Sequence, residues 1–396
     1  MWLISALSMA LITACSEKDD PKPPVEEKSL VEATLTSSRT ASELQFLIQL
    51  SGADVDPAVL TNDVDIYNIV YKTTYKDQEI DASGLIILPR STMAVPMISF
   101  HHGTIVQQSQ APSAQTTTSG EVISYAALAS MGLITAVPDM IGFGVSKDIF
   151  HPYYVEEPTA TAVLDMLDAA AELAEEKQIE FNSELFLAGY SQGGYTTLAA
   201  HKALENNPSE DFQLIASFAG AGGYDVKSMQ EYFFGLDTYK DPYYLAYVGM
   251  SYRSFYDEPE VLTTFFNEPF ATKIPTLFDG VTTSGTINAE LTTDISELVR
   301  EEMLLNIDSD PSFESLRNKF EENSLIDWKP AVPLFLYHGD ADITVPYANS
   351  ELTYQAFLSN GASTETVQLI NLPGKDHTTA VEPYVQDVIR KLQELK

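Results

Sequence analysis

The chain has 396 residues, 44% hydrophobic and 20% charged, with 57 Asp and Glu against 22 Lys and Arg, a formal net charge of −35. That length and apolar content suffice for one large buried core. So acidic a surface lacks the basic footprint that nucleic acid requires, and it would be repelled by anionic headgroups, so membrane contact needs an anchor.

From the N-terminus, Trp2 to Ile12 form an apolar run too short to span a bilayer. It leads into Ile12-Thr13-Ala14-Cys15, and Cys15 is the single cysteine, which excludes a disulfide within the chain. This stretch resembles a bacterial lipoprotein cleavage box. The resemblance implies a signal segment over 1–15, lipidation of Cys15, and a lipid-anchored protein of the bacterial cell envelope. Ser16-Glu17-Lys18-Asp19-Asp20 resembles the charged tag of lipoproteins that face outward from the outer membrane. Residues 16–30 carry Pro21, Pro23 and Pro24 among charges and read as an extended tether, leaving 31–396 for the folded domain.

Regular structure is expected to begin near Thr40-Ala41-Ser42-Glu43, a T-x-x-E capping box before Leu44, Phe46, Leu47 and Ile48. Strands are predicted at 64–75, 84–88, 97–104 and 132–138, and the Ala and Leu spacing predicts a helix over 159–177. Further strands at 184–189, 213–219, 332–338 and 366–371 complete a βα alternation. That order argues an α/β fold with a mostly parallel sheet and helices on both faces. Between the strands at 213–219 and 332–338 lies an insertion, about 224–329, expected as a helical cap. Its first part is rich in rings, among them Tyr243 and Tyr247. Such rings can wall a substrate site, with Tyr243 and Tyr247 as binding candidates, or form the core of the cap. Their irregular spacing favours the core.

The chemistry centres on Gly189-Tyr190-Ser191-Gln192-Gly193, a G-x-S-x-G pentapeptide between the apolar run Leu185-Phe186-Leu187-Ala188 and a segment able to wind as a helix. A serine on so sharp a strand-to-helix turn presents its hydroxyl clear of the backbone, and the glycines allow strand and helix to pass closely. Such a nucleophile needs a base and an orienting carboxylate, in the order serine, acid, histidine for this kind of elbow. Of the six histidines, His377 follows the strand-like 366–371 and sits on a loop at its end. His338 is its rival, but no acidic residue before it follows a comparable buried strand. The acid is sought in His338-Gly339-Asp340-Ala341-Asp342, where Asp342 is favoured and Asp340, a common turn residue, stays open. Asp376 also stays open, although sequence neighbours of a histidine rarely face it.

The spacing H-G-x-x-D-x-x-V-P over His338 to Pro346 resembles the acid loop of α/β-hydrolase esterases and prolyl-oligopeptidase-like hydrolases. Gly84-Leu85-Ile86-Ile87-Leu88-Pro89, Asp139-Met140-Ile141-Gly142-Phe143-Gly144 and the elbow itself make the chain similar to the secretory lipase family over most of 60–396. The resemblance implies an α/β-hydrolase domain with Ser191, Asp342 and His377 as its triad. For the oxyanion hole, one donor is expected at the N–H of Gln192, and a second at Thr104 in the turn after Met97-Ile98-Ser99-Phe100-His101-His102-Gly103. His101 and His102 point to opposite faces as strand neighbours, no C-x-x-C or H-E-x-x-H spacing occurs, and neither metal nor cofactor is expected.

The expected activity is serine hydrolysis of a carboxylic ester, with a small-molecule, lipid or sugar ester as substrate. A serine peptidase of the prolyl-oligopeptidase kind uses the same triad, but the strand at 64–75 begins too early to leave room for a large propeller before it. A binding protein with a vestigial site is a third reading, disfavoured because each triad member is dispensable for binding. Oligomeric state is not legible from this sequence.

Overall fold

The computed structural model describes residues 28–52 and 55–396. The signal segment, most of the tether and Cys15 lie outside the described residues. Nine strands form one sheet in the order β1-β2-β3-β5-β4-β6-β7-β8-β9. They are β1 (Leu30–Arg39), β2 (Val64–Tyr75), β3 (Gln78–Pro89), β4 (Val95–His101), β5 (Ile134–Pro138), β6 (Phe181–Tyr190), β7 (Gln213–Gly220), β8 (Leu334–Gly339) and β9 (Val367–Leu372). The pairs among β1, β2, β3 and β5 are antiparallel, and those from β5 through β4, β6, β7 and β8 to β9 are parallel.

Packing of the central strands follows their period of two. Leu185 and Leu187 face one apolar cluster while Phe186 and Ala188 face another. Met97 and Ile98 on β4 divide in the same way. The first face is covered by α3 (Glu156–Glu176), whose Val163, Met166, Leu167, Ala170 and Leu173 are buried. The second is covered by α1 (Ala41–Ser51), α2 (Gly120–Ser130) and the C-terminal α14 (Val381–Leu395). On α14, Tyr384, Val388 and Leu392 recur every four residues and point inward. Thr40 caps α1 as the T-x-x-E motif predicts, its hydroxyl accepting from the Glu43 N–H at 3.2 Å.

Two elements differ from the sequence expectation. Order begins before Thr40, because β1 pairs along β2 as an edge strand. Half-exposed on both sides, β1 lacks the apolar alternation that identifies a strand. β3 begins at Gln78, since its outlying start, Gln78 to Asp81, is mostly polar and is joined to β2 by Lys76 and Asp77, both with positive φ, in a tight hairpin.

α4 (Gln192–Asn206) follows β6, and α13 (Tyr347–Ser359) follows β8. Between β7 and β8 the described chain is helical. It holds α5 (Val226–Phe234), α6 (Tyr243–Phe255), α7 (Val261–Phe265), α8 (Phe270–Lys273), α9 (Ser284–Glu290), α10 (Ile295–Leu298), α11 (Glu301–Asn306) and α12 (Glu314–Glu322). Its buried rings join Tyr195 and Leu198 of α4 in one apolar cluster, so these helices share a core with the body. Lys76 adds a polar tie from the β2–β3 hairpin, donating to the Ser254 carbonyl and to Asp257, each at 2.9 Å. Among the described residues no helix is long and apolar enough to cross a membrane.

Candidate active site

Ser191, Asp342, His377 and the 103–104 turn all follow the carboxyl ends of parallel strands, where α/β sheets place their sites. Ser191 joins β6 to α4 with φ 60° and ψ −125°, a strained conformation for a residue with a Cβ. Its surroundings fix it there. The Ser191 N–H donates to the Gly220 carbonyl at 2.8 Å, and its own carbonyl accepts from Gly194 at 2.8 Å. A Cβ on Gly189 would lie 2.3 Å from the Gly193 carbonyl oxygen, and one on Gly193 would lie 2.0 Å from that of His101. Neither position tolerates a side chain.

The Ser191 Oγ lies 2.9 Å from His377 Nε2, and His377 Nδ1 lies 2.6 Å from Asp342 Oδ2. A carboxylate can only accept, so Nδ1 carries the proton and Nε2 offers its lone pair to the serine hydroxyl. The other oxygen, Asp342 Oδ1, accepts from the N–H groups of Thr344 at 2.9 Å and Val345 at 3.0 Å. Burial alone would raise the Asp342 pKa, but hydrogen bonds and charge from His338 and His377 outweigh it and hold the carboxyl well below its usual range.

Asp340 and Asp376 do other work. Asp340 is exposed and accepts from the Gly374 N–H at 2.6 Å and the Asn371 amide at 3.2 Å, tying the His377 loop to the end of β8. Asp376 caps the following turn, accepting from the N–H groups of Thr378 and Thr379.

Two supports were not read from the sequence. His338 is a second imidazole on Asp342, its Nε2 at 3.2 Å from Oδ2 and 2.9 Å from the Val345 carbonyl, its Nδ1 at 2.6 Å from Ser350 Oγ. The signal was its place four residues before Asp342. Tyr190, beside Ser191, donates its hydroxyl to the His377 carbonyl at 2.8 Å. A single residue in its pentapeptide gave no hint of that reach.

The expected oxyanion residues flank the serine. A Cβ on Gly103 would lie 3.7 Å from the Ser191 Cβ, which sets the 103–104 turn against the elbow. The Thr104 N–H donates to no acceptor among the described residues, and the Gln192 N–H opens α4, where no intrahelical acceptor exists. His101 and His102 turn apart as expected. The first meets Ser99 and Thr197 through its side chain, the second the carbonyls of Gly103 and Asp139.

Beside Ser191 opens a cleft enclosing about 640 Å³, counting the part open to solvent. Its wall is mainly apolar, with Met229, Phe233, Leu245, Val248 and Phe265 among its residues. Tyr243 and Tyr247 are not among them, which corrects their candidacy as binding residues and agrees with the core reading that their spacing favours. On α6 the cleft-facing positions are Tyr244, Leu245 and Val248, which share one side of the helix, so Tyr243 and Tyr247 face elsewhere. Tyr243 packs on Tyr244 at 4.0 Å between ring centroids, and Tyr247 stacks on Tyr153 at 4.4 Å.

Two further histidines sit neutral in the interior. Burial pushes His101 down to about 3 and His151 down to about 4. Both folded values lie below the roughly 6.5 of an unfolded imidazole, so the stability they contribute is full above that pH. It is lost as pH falls toward 4 and 3, because only the unfolded chain takes up the protons. Urea unfolding at pH 7 and pH 5 should show a loss at the lower pH, and a smaller one in His151→Gln. Equal losses in both proteins would overturn the assignment.

Known proteins share the family and the fold. Residues 107–381 match the secretory lipase family, well over half of the chain. No match is found among curated protein sequences. Among solved structures, a protein from Legionella pneumophila provisionally assigned as a hydrolase is similar at 26% identity and TM-score 0.82, over 93% of this chain and 98% of that one. The rice cell wall degrading esterase LipA from Xanthomonas oryzae shares the fold at 20% identity and TM-score 0.78, over 93% and 99%. Candida antarctica lipase A in its closed state shares it at 15% identity and TM-score 0.62, over 89% and 78%.

Proposed function

The chain belongs to the secretory lipase family and is a carboxylic ester hydrolase, and we propose that it works through an acyl-enzyme on Ser191. The observation that carries this reading is the hydrogen-bonded line from Asp342 through His377 to Ser191. Ser191 Oγ attacks the ester carbonyl carbon while His377 Nε2 takes the hydroxyl proton. The carbonyl oxygen becomes an oxyanion and meets the N–H groups of Gln192 and Thr104. Collapse breaks the bond to the alkoxide, which receives the proton from His377. Water then attacks the acyl-enzyme by the same route, releasing the acid and restoring Ser191. Asp342 keeps its charge throughout, holding the imidazole in the tautomer that accepts from serine and stabilising the imidazolium that forms.

The apolar cleft supports an aliphatic acyl group as the part of the ester bound there. Its wall carries no charged side chain among the described residues, which suits a neutral chain better than the charged amino terminus of a peptide. Enlarging a wall residue tests this directly. Val248→Trp should fill the cleft next to α6 and leave acetyl and butyryl esters nearly untouched. Each methylene denied burial costs about 0.8 kcal/mol, so decanoyl relative to butyryl esters should lose tenfold or more in kcat/KM. Equal loss across a p-nitrophenyl ester series would place the acyl group elsewhere.

A further inference from the structure

A buried seam joins the cap to both expected oxyanion residues. His151, Tyr153 and Tyr247 are each at most 5% exposed, and their rings meet one another. His151 Nδ1 lies 2.7 Å from the Ile141 carbonyl, which obliges that nitrogen to donate. Its Nε2 is therefore an acceptor, and the Gln192 side-chain amide donates to it at 2.6 Å. The Gln192 Oε1 is buried with no partner among the described residues, so its amide is held from the His151 side alone.

Tyr153 meets the other expected donor. Its hydroxyl lies 2.9 Å from Thr104 Oγ1. Tyr247, from α6 of the cap, stacks flat on the Tyr153 ring with 10° between planes and donates its hydroxyl to the Ile105 carbonyl at 3.2 Å. The seam continues beyond the rings, for the Gln108 N–H donates to the cap carbonyl of Gly280 at 2.8 Å, and the Gln107 amide to that of Val281 at 2.6 Å. The turn that presents the Thr104 N–H is thus gripped by the cap at several points. Opening α6 away from the body would release it.

We infer that His151, Tyr153 and Tyr247 are positioning residues that hold the two oxyanion donors against Ser191, so that seating of the cap sets the rate of acyl transfer and not only access to the cleft. This rests on the serine mechanism proposed above, with Gln192 and Thr104 as donors. An oxyanion donor works only where its N–H meets the charge as it develops, so a turn that drifts loses turnover without losing substrate.

The hydroxyls can be removed without removing the rings. Tyr153→Phe and Thr104→Val delete the same hydrogen bond from its two ends, and both leave the Thr104 N–H in place. Removing an oxyanion donor outright costs on the order of 10²–10³ in kcat, so a loosened one should cost about tenfold. On p-nitrophenyl acetate, too short to explore the cleft, each variant should lose that factor in kcat with KM within about twofold. A trifluoromethyl ketone, whose hemiketal oxyanion occupies the donors, should bind each variant weaker by the same factor. The double variant should be scarcely worse than either single one. Tyr247→Phe should show the same pattern at several-fold size. Unchanged kcat and ketone affinity with only a lower Tm would overturn the inference, as would a loss confined to KM or to long acyl chains. Ser191→Ala measured alongside keeps the two ideas apart, because full activity there would remove the serine mechanism and this inference with it.

Discussion

Ser191→Ala should lower kcat on p-nitrophenyl esters by roughly five to six orders of magnitude, and His377→Ala by a similar factor. The size follows from the division of labour. On the proposed route, no acyl-enzyme can form without Ser191 Oγ, and without His377 the hydroxyl keeps its proton and is a poor nucleophile at neutral pH. What survives in either variant is the contribution of substrate binding and the oxyanion donors. The double variant should therefore be scarcely slower than either single one, since the two groups act as a unit. Folding should be spared, because among the described residues the one hydrogen bond of the Ser191 side chain is to His377, and His377 lies on a loop with part of its surface in water. Circular dichroism and thermal melts check that assumption. A fluorophosphonate should label the parent protein and not Ser191→Ala. Near-parental turnover in a folded Ser191→Ala would end the acyl-enzyme reading.

The parts of the site that the sequence made legible are those written in local sequence. Strand, glycine-flanked serine and helix lie within one short stretch, so the elbow at Ser191 could be seen without knowing anything distant. Asp342 stood out because it follows the apolar, fully buried β8, and His377 because it follows the strand-like β9 at the sheet edge, and the fold brings those strand ends side by side. The parallel core was legible for the same reason. Leu185 to Ala188 and Leu334 to Tyr337 are apolar at every position, as strands covered on both faces must be. What escaped was either too weakly patterned or too long-range. β1 is half-exposed and borrows its order from β2, so its sequence carries little signal. The direction of α6 was hidden because Tyr243, Tyr244 and Tyr247 are all rings, and composition cannot tell which turn of a helix faces a cleft. Contacts such as Tyr190 to the His377 carbonyl, or His151 to Gln192, join residues far apart in the chain through loops with no period at all.

The sharpest division within the acid loop is expected between two aspartates separated by a single residue. Asp342→Asn should reduce kcat by about 10⁴, and Asp340→Asn by no more than about threefold. At position 342 an amide can still accept from the Thr344 and Val345 N–H groups, so the loop should stay folded. Toward His377, though, the negative charge is gone, and an amide NH2 turned to Nδ1 would favour the tautomer that cannot accept the serine proton. At position 340 the carboxylate serves the Gly374 N–H and the Asn371 amide, and an amide oxygen can take over the first of these. His338→Gln should fall between the two. It removes the second imidazole from Asp342 and the bond to Ser350, loosening the acid without discharging it. Combining it with Asp342→Asn should add little, because the carboxylate it supports is already absent. Steady-state kinetics on a butyryl ester, with thermal melts on each variant, decide the matter. A folded Asp340→Asn more damaged than Asp342→Asn would move the acid to position 340. An effect of His338→Gln that adds in full to that of Asp342→Asn would instead show that His338 acts through something other than the acid.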